Sequence, residues 1–440
     1  MAKVQETRRP IEDSTVKWTS YWLDTAPATP DYSVEPLEDK VDLAIIGGGF
    51  TGLSAAIHAA KKGATVALFE QERLGWGASG RNGGMCTTGA TISYLTLIGR
   101  YGVERANRLY RIYNDAIDLV EQLATKEGFE THFARTGKLS LASKPAHFAR
   151  FKRTHEALAK YLEYETRLLS AANLRDEIGS DIYHGGLVDP LGAGLHVGKF
   201  AKGLARVAER TGVHLHEKAK VLGLSRVSDS TYDVRTSRGT VRAAQVLLAT
   251  DGYTDGSVPR FRRRIVPVGS FIIATEPLGQ GVVDQLMPTR RMASDSKNLL
   301  YYYRITPDNR LLFGGRAQWA LSNPDSDRTS ATILHAGMLR VFPQLREVTV
   351  EYAWGGQVGM TLDRIPHAGE HEGLFYSIGY CGHGVQMSTY MGKQMVEVMD
   401  GHPDANPWRE FEFKAVPFHF GPPWFLPLAD AYYRMKDKVS

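Results

Sequence analysis

The chain has 440 residues, 43% hydrophobic and 23% charged, proportions that exclude wholesale disorder, collagen-like repeats and coiled coils. At about 150 residues per domain the length fits two to three domains. Lys and Arg total 53 against 48 Asp and Glu, a net +5, and the basic residues are scattered, not gathered into the stripe a nucleic-acid groove needs, so no nucleic-acid partner is expected.

Residues 1–40 are polar and interrupted by Pro10, Pro27, Pro30 and Pro36, with Trp18, Tyr21 and Trp22 as large anchors. They read as an N-terminal arm laid on the body through those aromatics. No apolar run of signal-peptide length occurs at the start, and nowhere does the chain approach a membrane-spanning run, so a cytoplasmic protein is expected. From Val41 to Ile46 the sequence is almost wholly apolar, as in a parallel strand covered on both faces. Glycines follow, then a helix-forming stretch from Phe50 to Lys62 and a second apolar strand, Ala64 to Glu70, together a βαβ unit. Tyr101 to Thr125 and His147 to Leu169 carry apolar residues at helical spacing. Val221 to Val227, Thr231 to Thr236 and Val241 to Ala249 read as a meander ending in a buried strand. Ile265 to Thr275, Leu299 to Ile305 and Arg310 to Gly314 have the composition of an antiparallel sheet in a second domain. Leu374 to Ile378 is a last apolar strand, running into glycines and a helix from Val385 to Met399.

Glycine is over-represented, 44 of 440 residues against roughly 7% in average usage, and part of the excess sits in three clusters. The first, Gly47-Gly48-Gly49-Phe50-Thr51-Gly52, fits the dinucleotide fingerprint G-x-G-x-x-G directly after a buried strand and opening a helix. Gly47 makes the turn, Gly49 lets the backbone approach a pyrophosphate, and Gly52 permits close packing of helix on strand. Glu70 ends the next strand, 18 residues beyond Gly52, where an acidic side chain can hold ribose hydroxyls. A glycine turn joining any strand to any helix is the alternative, disfavoured by the full strand, helix and Glu70 context. NAD and FAD share the adenosine half, so the fingerprint does not separate them.

The second cluster, Gly75 to Gly84, adds Trp76, Ser79, Arg81 and Asn82 to a glycine-dense loop whose backbone N–H groups can converge on an anion or on ring heteroatoms. The third, Gly379-Tyr380-Cys381-Gly382-His383-Gly384, precedes the last helix, whose N-terminus could stabilise negative charge on a reduced flavin. Either could instead be a flexible loop or an ordinary helix entry; their succession favours one large cofactor touched from distant segments.

IIGGGFTGLSAA, GWGASGRNGG, NLLYYYRITPDNRLLFGG, FPQL followed by WGGQVGMTLDRIP, and GYCGHGVQMS occur in that order. With them the chain resembles the D-amino-acid oxidase-like (DAO) family of FAD-dependent amine and amino-acid oxidoreductases, and within it the γ-glutamylputrescine oxidoreductase branch of bacterial putrescine breakdown. The resemblance spans nearly the whole chain. It implies an α/β and α+β architecture: a Rossmann-like FAD-binding domain from residues 41–95, 189–255 and 362–400, and an interleaved antiparallel-sheet substrate domain with a helical insertion from 96–188 and 256–361. Residues 401–440 form a C-terminal tail.

By the same resemblance Gly47, Gly49, Phe50, Thr51, Gly52, Glu70, Gln71, Ser79, Gly80, Arg81, Asn82, Gly83, Gly84 and Met85 touch a non-covalent FAD. Val221, Ala249 and Thr250 approach the adenine end, and Gly382, His383, Gly384 and Val385 the flavin ring. The family's relatives have Ser at the position of Cys381 and Gly at that of Arg316, and Asp251-Gly252 stands where flavoproteins often have Ala-Thr-Gly. The position of Cys381 does not match the flavin-attachment cysteine of monomeric sarcosine oxidases.

The implied reaction moves a hydride from the carbon beside an amine nitrogen to the flavin, giving an imine that water hydrolyses, with dioxygen or another acceptor reoxidising the flavin. It needs a neutral amine and no obligatory side-chain base, so no catalytic residue is named. The 14 histidines show no zinc-ligating spacing and two cysteines make neither a disulfide framework nor a four-cysteine zinc site, so no metal is expected. Substrate contacts are expected from the second domain. Tyr301 and Tyr303 share one face of their strand and Tyr302 the other, and one face could wall an amine cage or be half-buried packing. Tyr302, Trp354 and Tyr380 are candidate pocket walls, and Arg316 could clamp a substrate carboxylate or be solvated. A secondary or cyclic amino acid of sarcosine or pipecolate type is the alternative substrate. A flavin-bearing nucleic-acid-binding or assembly protein is the alternative of another class. The basic run Arg260 to Arg264 is either a phosphate patch or a solvated domain junction, the latter favoured.

Overall fold

A computed structural model describes residues 15–228 and 231–439; residues 1–14 of the expected arm lie outside them. The apolar run after residue 40 becomes the strand Lys40–Ile46, which pairs in parallel with Val66–Phe69 on one side and Gly239–Leu248 on the other. His214–His216 and Leu374–Ile378 extend this parallel core outward, and His367–His371 closes one edge antiparallel. The expected meander, Val221–Ser228, Thr231–Thr236 and Gly239–Leu248, folds back antiparallel at the start of that last strand. Central strands are apolar on both faces because both are covered: Leu43, Ile45 and Leu68 pack into the core of helices Phe50–Lys61, Val197–Arg210 and Gly384–Met399, while Ala44, Ile46 and Phe69 pack toward the meander. Helix Val103–Glu127 joins the same helical core through Leu109, Tyr113 and Ile117.

A second sheet runs in the order Val350–Met360, Val266–Thr275, Leu311–Gly315, Tyr301–Ile305, Met292–Asp295, Lys138–Leu141, Gly185–Asp189, Arg167–Ser170. Sequence composition predicts it antiparallel; one pairing, Met292–Asp295 with Lys138–Leu141, is parallel. Helix Pro324–Val341 covers one face, burying Leu334 and Met338 against Phe271, Ile273, Tyr303 and Phe313. The other face, carrying Ile272, Leu312 and Trp354, turns toward the first core. Period-two alternation therefore sends Tyr303 into the outer core and Tyr302 inward, between the two sheets.

One expected helix is shorter than its apolar spacing predicts. It covers Pro145–Leu162 and stops at Glu163, which takes a left-handed φ of +55°; Arg167–Ser170, read as its end, is an edge strand of the second sheet. The arm is fastened as its aromatics suggest: Trp22 is fully buried and donates its Nε1–H to Asn82 O at 2.7 Å. Lys17 adds a bridge to Tyr352 at the edge of the second sheet. Among the described residues no helix is long and apolar enough to cross a membrane.

Candidate active site

A cavity of about 540 Å³ runs between the two sheets, from the turn after the first strand to the inward face of the second sheet. At its first end, Gly47 holds a φ of +110°, and a Cβ there would stand 2.7 Å from Ala249 O, so only glycine fits between these neighbouring parallel strands. Gly52 does not reach the cavity; its missing Cβ lets helix Phe50–Lys61 sit against Gly47 O, as the fingerprint requires. The Phe50 N–H donates to Ser79 Oγ at 3.0 Å, so the glycine-dense loop caps this helix from across the turn. Glu70 is buried and accepts from Gly48 N through Oε2 and from Glu72 N through Oε1, both at 2.8 Å. Burial pushes its carboxyl above the usual carboxylate range while the two N–H groups oppose that shift. Each oxygen retains a lone pair, and Glu70, Gln71, Val221, Ala249 and Thr250 together line this end.

The loop over the middle of the cavity is shaped by its polar residues. Arg81 stacks 4.4 Å over the Trp76 ring and donates Nε–H to Trp76 O at 2.7 Å and Nη1–H to Gly355 O at 3.1 Å. Asn82 donates to Ala78 O and Ser79 O and accepts from Gly84 N at 2.8 Å. Ser79, Arg81, Asn82, Gly83 and Met85 line the cavity beside Gly47, Gly49, Phe50 and Thr51. Gly80 and Gly84 are packed behind the loop, against Gly75 O and Leu195 O respectively. Trp354 also stands behind it, buried, with Nε1–H donated to Arg81 O at 2.9 Å, so it braces the loop and does not wall the cavity.

Gly379 to Gly384 close the middle from the opposite side. Tyr380 lines the cavity, but its hydroxyl is taken up within the protein, 2.7 Å from Thr51 Oγ1 and 2.8 Å from Ser377 Oγ. Cys381 holds a φ of +54° and is buried, its Sγ–H donating to Gly379 O at 3.2 Å and its Sγ accepting from Thr361 N at 3.4 Å. Thr91 Oγ1 lies 2.7 Å from Cys381 O and 3.0 Å from His383 Nδ1. Burial, helped by the positive charges of Lys138 and Arg316, lowers the His383 imidazole to about 3, so it is neutral at physiological pH. Gly382, His383, Gly384 and Val385 all line the cavity where helix Gly384–Met399 begins.

At the far end Tyr302, Ser270, Lys138, Arg316, Trp319 and Tyr433 meet. Tyr302 OH is 3.0 Å from Ser270 Oγ, and burial pushes the phenol up to about 12, so it stays protonated. Arg316 is desolvated here, with Met360 Sδ 3.9 Å from Nη2 and the Trp319 ring at 5.6 Å, and no described carboxylate forms an ion pair with it. Trp319 Nε1 is buried without a hydrogen-bond partner. Several cavity residues escaped the sequence reading, among them Thr91, Ser270, Trp319 and Tyr433, and two more that did leave a signal. Asp251 lines the cavity at a φ of +42° and accepts from Gly379 N at 2.7 Å; its departure from Ala-Thr-Gly was the available signal. Lys138, with its amine held below the usual lysine range by burial, could have been found from the alternation of Lys138-Leu139-Ser140-Leu141.

These donors fit an FAD laid end to end. Glu70 offers acceptors for ribose hydroxyls, the N-terminus of Phe50–Lys61 offers donors for a pyrophosphate, and the N-terminus of Gly384–Met399 offers a positive dipole end for a flavin ring. No group of three or more potential metal ligands occurs among the described residues.

Comparison with known proteins agrees in family and fold. Residues 42–398 match the family described as FAD dependent oxidoreductase (DAO). The chain is 33% identical to a probable oxidoreductase OrdL of Haemophilus influenzae, over 95% of this chain and 97% of that one. It is 31% identical to γ-glutamylputrescine oxidoreductase of Escherichia coli, over 91% and 93% respectively. Among solved structures, glycine oxidase of Geobacillus kaustophilus superposes with a TM-score of 0.71 at 21% identity, covering 87% of this chain and 99% of that one. With its fingerprint, its two-sheet architecture and a match over most of its length, the chain belongs to the DAO family of FAD-dependent oxidoreductases, enzymes of amines and amino acids.

Proposed function

We propose that this enzyme oxidises the CH–NH bond of a carboxylate-bearing amine, γ-glutamylputrescine or a related ω-amino compound, with dioxygen as electron acceptor. The observation that carries the reading is Arg316, a desolvated guanidinium at the substrate end with no carboxylate of the protein beside it. The Trp319 ring lies 5.6 Å from that guanidinium at the same end, and a guanidinium without a carboxylate of the protein suits a substrate carboxylate. The E. coli relative named for γ-glutamylputrescine supports the choice of compound. Non-covalent FAD, held through Glu70 and the two helix N-termini, supplies the hydride acceptor.

The protein's own task is to orient the substrate carbon and keep its amine neutral. Arg316 and Lys138 set a positive potential that disfavours a second positive charge in the cavity, which favours loss of the substrate's ammonium proton. His383 and Tyr302, both neutral by burial, can exchange hydrogen bonds with the bound amine without changing charge. A secondary or cyclic amino acid of sarcosine or pipecolate type satisfies Arg316 as well, and is the second reading.

Anaerobic mixing with γ-glutamylputrescine, putrescine, sarcosine and pipecolate, followed at the oxidised flavin band, tests both. Bleaching by γ-glutamylputrescine and not by putrescine, with recovery and peroxide formation on admitting air, is expected. Bleaching by sarcosine or pipecolate alone selects the second reading, and colour return only with an artificial acceptor rejects dioxygen.

A further inference from the structure

The helix Leu426–Val439 turns Asp430, Tyr433 and Asp437 to the body and Leu428, Tyr432 and Met435 to water. Asp430 Oδ1 accepts Trp319 N–H at 3.0 Å, the Tyr433 ring stacks on Trp319 at 4.9 Å, and Asp437 accepts the N–H groups of Asn298 and Leu299 at 2.8 and 2.9 Å. These positions share one helical face. On the other face Leu428, Tyr432 and Met435 are 65%, 52% and 59% exposed, spaced i, i+4, i+7 as one stripe. The segment leading into the helix continues this character: Phe418, Phe420 and Trp424 are 76%, 66% and 64% exposed, so that six of the 13 exposed large hydrophobics among the described residues lie between residues 418 and 435. Buried His419, bonded to Ile265 O at 2.9 Å, and buried Leu426 anchor this segment. Phe418 is held outward at a φ of +58°, a conformation bulky residues rarely adopt.

The arginine run lies against these aromatics. Arg263 O accepts Val416 N–H at 2.9 Å, and the Arg263 guanidinium sits 4.5 Å over the Phe420 ring. Arg260 and Arg263 are exposed, and no described carboxylate forms an ion pair with Arg260, Arg262 or Arg263. Exposed aromatic rings beside unpaired arginines, next to a helix with an outward apolar stripe, match the chemistry of a membrane interface. There rings sit at headgroup level, guanidinium groups meet lipid phosphates, and an amphipathic helix lies flat. A second copy docked here would bring the same unpaired arginines to the same surface, whereas an anionic surface neutralises them.

We propose that this C-terminal face docks the enzyme peripherally on an anionic lipid surface. Tyr433 of this helix and the Trp319 ring on which it stacks both line the cavity, so the docked helix borders the substrate end.

Flavin-loaded full-length protein is sedimented with vesicles of phosphatidylcholine alone or mixed with phosphatidylglycerol. Binding to the mixed vesicles only, weakening as sodium chloride is raised, is expected. Arg260→Gln with Arg263→Gln should weaken it about 25-fold, at about fivefold per arginine. Phe420→Ser with Trp424→Ser should abolish it while flavin content and melting temperature stay unchanged. Absence of binding at low salt, or equal binding to both vesicle types, overturns the proposal. So does a dimer in light scattering that dissociates in the Phe420→Ser, Trp424→Ser variant, because a second copy then covers this face. The salt and lipid arms use the unaltered protein and stand even if a variant misfolds.

Discussion

The Asp251 carboxylate accepts the Gly379 N–H at 2.7 Å and the Tyr380 N–H at 3.3 Å, tying the end of strand Gly239–Leu248 to the turn that launches helix Gly384–Met399. One side chain thus holds two segments of the cavity wall, far apart in sequence, at a fixed spacing. Asp251→Ala leaves two buried backbone donors without partners, each costing about 1–3 kcal/mol. A stability loss of about 2–6 kcal/mol with reduced flavin retention is expected, read as denaturation midpoint and as the ratio of flavin to protein absorbance. Asp251→Asn keeps one acceptor oxygen and should fall between the two.

Arg316 should trade stability for binding. It is desolvated without a described carboxylate partner, and such an uncompensated charge costs folding energy. Arg316→Met is therefore expected to raise the melting temperature while lowering kcat/KM for carboxylate-bearing amines. The loss should be about 1.5–3 kcal/mol of charged hydrogen bonding, or roughly tenfold to 150-fold. Uncharged amines should be unaffected. Equal losses for both substrate classes in steady-state assays would remove Arg316 from the carboxylate site.

The parallel core was legible because the crossover from Lys40–Ile46 through Phe50–Lys61 to Val66–Phe69 with its Glu70 terminus, and the late strand Leu374–Ile378 running into Gly384–Met399, announce themselves locally as an apolar strand, a glycine turn and a helix. Helix Val197–Arg210 and strand His214–His216 carry no such glycine signal. Each glycine cluster does contribute to the cavity wall. What local pattern could not give was which members of a cluster face inward. Gly80 and Gly84 share the loop with Ser79 and Gly83 yet pack against Gly75 O and Leu195 O, a distinction set by contacts with distant segments. Trp354 and Tyr380 likewise carry no local sign that their polar atoms are satisfied by Arg81 O and Thr51 Oγ1. Tyr302 was separable from its neighbours by alternation alone, since a strand needs no tertiary information to fix its two faces. The helix expected to continue to Leu169 failed for the same reason in reverse: Arg167–Ser170 is short, and pairing with Gly185–Asp189 overrides its helical spacing.

His383 should make acid stability measurable at a single residue. Its folded pKa, about 3, lies below the ordinary histidine value of 6.5, so folding favours the neutral ring. That contribution is complete above about pH 6.5 and is lost as pH falls toward 3, where the unfolded chain binds a proton that the folded one refuses. The limiting slope is about 1.4 kcal/mol per pH unit. His383→Gln should flatten the fall in unfolding free energy between pH 6 and 4 relative to the unaltered protein. Because the ring does not titrate between pH 6 and 9, the pH limb of kcat/KM in that range should follow the amine pKa of each substrate and survive the substitution.

Cys381 should remain a thiol and leave the flavin unattached. Covalent attachment through sulfur requires a thiolate, and burial pushes this thiol up to about 11. Sγ–H donates to Gly379 O, so deprotonation would set a negative sulfur against a carbonyl oxygen, whereas Thr361 N–H and Oγ1 lie on the sulfur and only partly offset the burial. Acid precipitation of the holoenzyme is expected to leave all of the yellow colour in the supernatant, and alkylation at pH 7.5 should be slow until the protein is unfolded. Cys381→Ser preserves a donor and an acceptor at nearly the same place and should keep its flavin. Flavin that stays with the precipitate of the unaltered protein but not with that of Cys381→Ser would mean that the thiol has been activated by the bound ring, against the burial that governs it here.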